Sequence, residues 1–391
     1  MKSVTYYYYI YVLLGMMGFL GFPDFYTYIT IFLILFVLFF IKDFHILSKG
    51  IDLLIVLFII YQIIVSLLVG GSELLRDWWI TIRVQVFSMI FYYVGRYKSD
   101  DSIKFLENMK VPMLFAMIIG IVLYFWSPSW YIEKRTIGLS ADSSMNAYYE
   151  STRLSSFWPW SYTMGYGSLF YFMYFYKDFC KHSNIYNAVL ILISLSTLFF
   201  AQQRVSIAFL FVFLFLSIYC NPYNNRKISL KIFFFIVAIM VGIIYYLINF
   251  ADSGLLDYIL NRSLEKEDNM VAERYGMFSS YLTVSILGSG VGSFGHAAVS
   301  SKGFGAADCE YVRMFIELGL VGSMLLFLIF INALFRAWSL KKYYFFELSV
   351  LLFYIAAMIG ATPFENYSMQ PFLFWFCIGR LYNDDRLLVN Q

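Results

Sequence analysis

Charge is what this sequence has least of. Only 14% of its 391 residues are Asp, Glu, Lys or Arg, against 61% hydrophobic and 22% aromatic. Soluble domains carry roughly 25% charged residues, so a water-soluble globular domain is the first class excluded. Alternation of apolar and polar residues is lacking too. The apolar runs are continuous, which excludes a membrane β-barrel and leaves helices, whose backbone hydrogen bonds close within one segment. Cysteine is sparse. Cys180, Cys220, Cys309 and Cys377 are scattered without a CxxC pair, so four unpaired thiols are expected and no metal site. There is no internal repeat and no low-complexity tail. No small-residue cleavage site follows Lys2 and the first apolar run, which reads as a retained helix rather than a signal peptide. Nothing in a basic chain of this kind points to nucleic acid as a partner.

What is present is a succession of apolar runs of about 17–20 residues, the length of a membrane helix. About twelve candidate spans result: 6–22, 25–41, 52–69, 79–95, 111–126, 162–176, 185–200, 205–220, 232–250, 311–335, 345–362 and 371–382. The expected fold is an all-α polytopic membrane protein, with residues 1–391 forming a single integral membrane domain. With the N-terminus in the cytoplasm, every second connection is internal. Those connections collect basic residues: Lys42 and Lys49, then Arg96, Lys98, Lys104 and Lys110, and later Arg336, Lys341 and Lys342. This is the positive-inside pattern, and it places the C-terminus in the cytoplasm as well. Trp78, Trp79, Trp126, Trp130, Trp158 and Trp160 then fall near the outer interface, as an aromatic belt.

Two external loops are long, 127–161 and 251–310. Long connections between membrane helices are usually functional. They hold external basic residues against the orientation bias, among them Arg135, Arg153 and Arg274. Arg204 stands in Gln203-Arg204-Val205-Ser206, between two hydrophobic runs with almost no loop. A guanidinium there either snorkels to headgroups or binds an anion, for which its planar fork suits phosphate oxygens. Arg153 and Arg135 are anion-binding candidates or partners of Glu133 and Glu150. His296 is a candidate base or polar surface. Glu310, Arg313 and Glu317 share one helical side, where Arg313–Glu317 reads as a local ion pair and both glutamates as candidate substrate contacts. Asp308 has no obvious local partner and is the better candidate for a general base. Gly290-Val291-Gly292-Ser293-Phe294-Gly295 matches GxGxxG, but no βαβ context surrounds it, so a dinucleotide site is not expected. A tight turn in which backbone approaches backbone or a ligand is.

The polytopic layout, Gln203-Arg204-Val205-Ser206, Arg274 ahead of Leu287-Gly288-Ser289-Gly290-Val291-Gly292-Ser293-Phe294, and Asp308 through Glu317-Leu318-Gly319-Leu320-Val321-Gly322 together resemble the bacterial O-antigen polymerases (Wzy type) and their relatives, the O-antigen ligases. The specific motifs lie in the second half of the chain. The resemblance implies a GT-C-like architecture and a metal-independent, inverting glycosyl transfer without cofactor at the periplasmic face of the inner membrane. Donor and acceptor would be oligosaccharides linked to undecaprenyl diphosphate. It further implies membrane lipid around the protein and a separate chain-length-determining co-polymerase as partner. In that picture Arg204 and Arg274 are diphosphate ligands, Arg153 is a substrate ligand and Asp308 takes a proton. The ligases carry His nine residues before the Glu of E-x-G-x-x-G, and this chain has Asp308 there, which favours polymerase over ligase. A flippase for the same lipid is the rival from another class, and would be expected to have short loops. A scaffold without chemistry leaves Arg204 unexplained.

Overall fold

The computed structural model describes residues 49–69, 75–97, 102–133, 153–157, 161–220, 230–231, 233–235, 237–238, 286–294, 309–364 and 369–383. The spans expected at 6–22 and 25–41 and most of 232–250 lie outside them, as do Arg135, Arg274, His296 and Asp308. Every regular element among the described residues is helical. We label the long helices α1 (Gly50–Val69), α2 (Leu75–Tyr97), α3 (Ser102–Trp126), α4 (Ser161–Lys181), α5 (Ile185–Phe200), α6 (Arg204–Cys220), α7 (Glu310–Ser339), α8 (Phe345–Ala357) and α9 (Met369–Leu381).

Each grows from an apolar run, and its limits have local causes. Asn184 caps α5, its side chain accepting the Asn187 amide at 2.8 Å. α7 starts without a side-chain cap at Cys309. Its first amide, Glu310 N, instead donates to the carbonyls of Met358 (2.9 Å) and Ala361 (3.1 Å) beyond α8. Of these helices, α1 and α7 are long and apolar enough to cross a membrane, whereas α5, α6, α8 and the apolar part of α9 are shorter. Among the described residues α1 and α7 are therefore the two clear candidate spans.

α4 and α9 form the middle of the bundle. From Met164 to Tyr176 every α4 residue is buried, and residues 371–381 of α9 are buried throughout. A helix covered on all sides needs no polar face. α1 and α7 behave differently. α1 turns Leu53, Leu57, Ile60, Ile64 and Leu68 outward while it buries Asp52, Gln62 and Ser66. α7 turns Met324, Phe327 and Phe335 outward while it buries Glu310, Arg313 and Glu317. Apolar groups outside and polar groups inside reverse the arrangement that water selects, and match the one that lipid selects.

The bundle has two ends, and α6 and α7 both begin at the same one, since α6 and α7 each run opposite to α8. At one end Lys49 Nζ donates to Tyr382 O (3.3 Å) and Arg336 Nε to Leu381 O (3.2 Å). Arg96 pairs there with Asp52 of α1, whose other oxygen accepts the Lys49 amide at 2.7 Å. Arg380 Nε lies 3.7 Å from Glu347. Of the basic residues expected in internal connections, Lys49, Arg96, Arg336 and Arg380 thus meet at one end, with Arg96 and Arg380 as buried ion-pair partners rather than loop charges.

Candidate functional site

The other end is organised by a break in α7. The apolar run 311–335 reads as one continuous span, but Gly319 interrupts it with φ 62° and ψ −164°. A break of this kind strips the preceding carbonyls of their helical donors. At membrane depth those carbonyls must be satisfied by protein. The turn 286–294 does so. Ser289 N donates to Ile316 O and Gly290 N to Glu317 O, both at 2.9 Å. Beyond the break, Val321 N donates to Ile286 O at 3.3 Å. Tyr61 of α1 completes the repair: its hydroxyl lies 2.9 Å from the carbonyl oxygens of both Leu287 and Leu318. Gly288, at φ +85°, lies so close that a Cβ there would meet Glu317 O at 2.4 Å. The glycine-rich stretch is thus a tight turn in which backbone meets backbone.

Tyr61→Phe removes that hydroxyl with little change of shape. It leaves the Leu287 and Leu318 carbonyls facing a ring edge, at an expected cost of about 1–2 kcal/mol. A lower melting temperature in detergent is the expected result, and an unchanged one would show that the break is held without Tyr61.

The side chains of the same segment continue the pattern. Glu317 Oε1 accepts the amides of Gly292 (3.0 Å) and Phe294 (3.2 Å), while Oε2 accepts Arg313 Nη1 at 2.7 Å. Arg313 Nη2 binds Glu310 Oε1. Gln85 of α2 presents Oε1 to both guanidinium nitrogens, at 3.2 and 3.3 Å, and donates from Nε2 to Gln62 Oε1 at 2.6 Å. Ser66, one turn beyond Gln62, accepts the Val291 amide at 3.0 Å. The hydrogen bonds therefore connect α1, α2, α7 and the turn. Glu310, Arg313 and Glu317 are fully buried. Inside a low-dielectric interior such a network specifies geometry strongly, because any unpaired member is costly. Both glutamates, expected as substrate contacts, are fully buried with an oxygen on Arg313. The local ion pair is real at i to i+4, but it is one part of a network that helical spacing does not reveal.

A second cluster carries two of the expected arginines. Between α5 and α6 the chain reverses in three residues, with Gln202 at φ 53°. Gln203 Nε2 donates to Ser161 Oγ at the start of α4 (2.8 Å). Arg204 is the first residue of α6 and is exposed on the surface of the bundle. The segment 153–157 docks on this turn: Leu154 N donates to Phe200 O at 2.9 Å, and Ser156 Oγ to Ala116 O of α3 at 2.7 Å. Partly buried Arg153 heads that segment. The fold thereby fixes the backbones carrying Arg153 and Arg204 against one another, at the end of the bundle where α7 begins. Their guanidinium groups suit an anion, and the buried cluster suits the positioning of backbone.

Two ion pairs were not foreseen. The carboxylate of Asp52 accepts from Tyr92 Oη at 2.6 Å as well as from Arg96. The Glu347–Arg380 pair joins α8 to α9. An acidic residue inside each apolar run was the available signal. Among the described residues no group of three or more His, Cys, Asp or Glu is placed to hold a metal ion. No protein-family model, curated protein or solved structure matches this chain.

Proposed function

We propose that this protein is an O-antigen or related surface-polysaccharide polymerase, joining oligosaccharide repeat units carried on undecaprenyl diphosphate at the periplasmic face of the bacterial inner membrane. The observation that carries the reading is the docking of the Arg153 segment on the turn that presents Arg204. It sets two guanidinium-bearing segments side by side at the end of the bundle from which Asp308 leads into α7. The sugar hydroxyl of one lipid-linked repeat unit attacks the anomeric carbon of the growing chain. The new C–O bond forms as the bond to the lipid diphosphate breaks, and the diphosphate leaves with the electron pair. The hydroxyl proton passes to Asp308. Arg204 and Arg274 neutralise the departing diphosphate, Arg153 binds the sugar or the second diphosphate, and Arg135 and His296 are further substrate ligands. Arginines fixed in advance supply the electrostatic part, and orientation of two lipid-anchored reactants supplies the rest. A separate co-polymerase sets chain length in this scheme.

The ligase reading uses the same donor with lipid A core as acceptor. The break in α7 also fits a flippase, since interrupted helices line transport sites. Here, however, the carbonyls at the break are taken up by the turn and Tyr61. Deletion of the gene separates the three. Loss of a polymerase leaves core bearing a single repeat unit. Loss of a ligase leaves bare core with glycan stranded on its carrier outside, and loss of a flippase leaves bare core with repeat units inside. A single-unit band on a lipopolysaccharide gel is the expected result, and bare core would sink the proposal. Complementation with Arg204→Lys or Asp308→Asn is expected to shorten the polymer strongly at unchanged protein level. Full-length polymer in either variant removes that residue from the site.

A further inference from the structure

We propose that Glu317 is a positioning residue: its carboxylate seats the turn 288–294 on the break in α7 and, through Arg313, locks that turn to the start of the helix at Glu310. The proposal rests on the polymerase reading for what is being positioned, namely the backbone that leads from Asp308 into the membrane. It does not rest on that reading for the seat itself.

The geometry assigns the two oxygens different tasks. Oε1 faces the turn and takes two amides, Gly292 and Phe294. Oε2 faces Arg313. Arg313 in turn reaches Glu310, whose own amide is anchored on Met358 O and Ala361 O. One side chain thus ties a turn to the point where the chain joins α7, although the two are remote in sequence. Both faces of the carboxylate meet hydrogen-bond donors, so an ionised acid is required. A carboxamide of the same size fails on one side or the other. With its oxygen toward the turn, its NH2 meets the guanidinium. With its oxygen toward Arg313, its NH2 meets the two amides. Glu317→Gln therefore changes no volume and breaks one contact.

The turn can be watched directly. Ser293 is 7% exposed and Cys377 is fully buried in α9. In a Cys309→Ser background, Ser293→Cys places a thiol in the turn, and Cys377 reports on the bundle. Membranes are treated with N-ethylmaleimide, and both positions are quantified by peptide mass spectrometry. Labelling of a protected thiol follows the population of the locally opened state, so Glu317→Gln is expected to speed labelling of the turn thiol by about tenfold or more. Cys377 should stay protected, and the protein level should stay unchanged. Ser66→Ala, which removes the acceptor of the Val291 amide from α1, is the second variant should Glu317→Gln not accumulate. It is expected to speed turn labelling by a smaller factor. In the same strains the glycan ladder should lose its long chains.

Turn labelling equal to the parent's overturns the seat. A parallel rise at Cys377 overturns it too, because the carboxylate would then be holding the whole bundle. Faster turn labelling with a full ladder overturns the positioning role. If deletion of the gene leaves the ladder untouched, the polymerase reading falls, and the labelling ratio still decides the seat.

Discussion

Arg313→Met is expected to remove most of the folded protein from the membrane. The substitution leaves Glu310 and Glu317 buried, on the same helical side, without the guanidinium that binds an oxygen of each. Gln85 loses its donors at the same time. Removing one partner of a buried ion pair costs about 3–5 kcal/mol, because the remaining charge must be neutralised or hydrated where it stands. A loss of that size is comparable to the whole stability of many domains. The prediction has a built-in control. Combining Arg313→Met with Glu310→Gln and Glu317→Gln removes all three charges, and neutral replacement of a buried ionic cluster is often tolerated. The triple variant should therefore accumulate better than the single one, while its polymer shortens. Measuring membrane-fraction abundance and detergent melting temperature for both variants checks this. A single variant as abundant as the parent would mean that water reaches the cluster.

How much of this was legible in the sequence differs by kind of interaction. The helix expected over 185–200 is found over Ile185–Phe200, and those over 52–69 and 205–220 gain one or two residues at their starts. Continuous apolar runs bounded by polar residues carry that information locally. The break at Gly319 was less legible, because a single glycine in an apolar run also reads as a packing site. Its meaning came from Tyr61 and the turn 286–294, which are remote in sequence. The same holds for Asp52 with Arg96 and Glu347 with Arg380. Each charge lies near the end of an apolar run and looks like a topology signal until its partner is known. Local spacing revealed Arg313–Glu317, but not that Gln85 and two turn amides share it. The tight backbone approach expected of the glycine-rich stretch was legible in kind, since several closely spaced glycines have few other uses. Its partner, the helix backbone from Ile316 to Leu318, was not. Arg204 was singled out because an arginine between two apolar runs is rare, and Arg153 because it is a basic residue in a long external loop. That their segments are docked on one another came only with the fold.

Gly379→Leu is expected to be as damaging as the loss of Arg313, for a steric reason. α2 and α9 touch backbone to backbone. A Cβ on Gly379 would lie 1.9 Å from Tyr92 O, and one on Gly95 would lie 2.2 Å from Phe376 O. Small residues let membrane helices approach this closely, and the contact leaves nothing flexible to move aside. The helices would have to part. Tyr92 and Arg96, beside the contact on α2, hold Asp52 of α1, while Arg380, beside Gly379, faces Glu347 of α8. Separating the pair therefore pulls at two buried ion pairs as well as at the packing. Overpacking alone costs about 1–3 kcal/mol, and the strained ion pairs add to it. Gly379→Ala should show the same effect in smaller measure, reversing the usual gain of about 1 kcal/mol for alanine over glycine in a helix. Gly360 has nothing within 4 Å of its Cβ position, so Gly360→Ala is the matched control and should be close to neutral. The expected order of detergent melting temperatures is Gly360→Ala, then Gly379→Ala, then Gly379→Leu. If Gly379→Ala melts at or above the Gly360→Ala control, the backbone contact is not what holds α9 to α2.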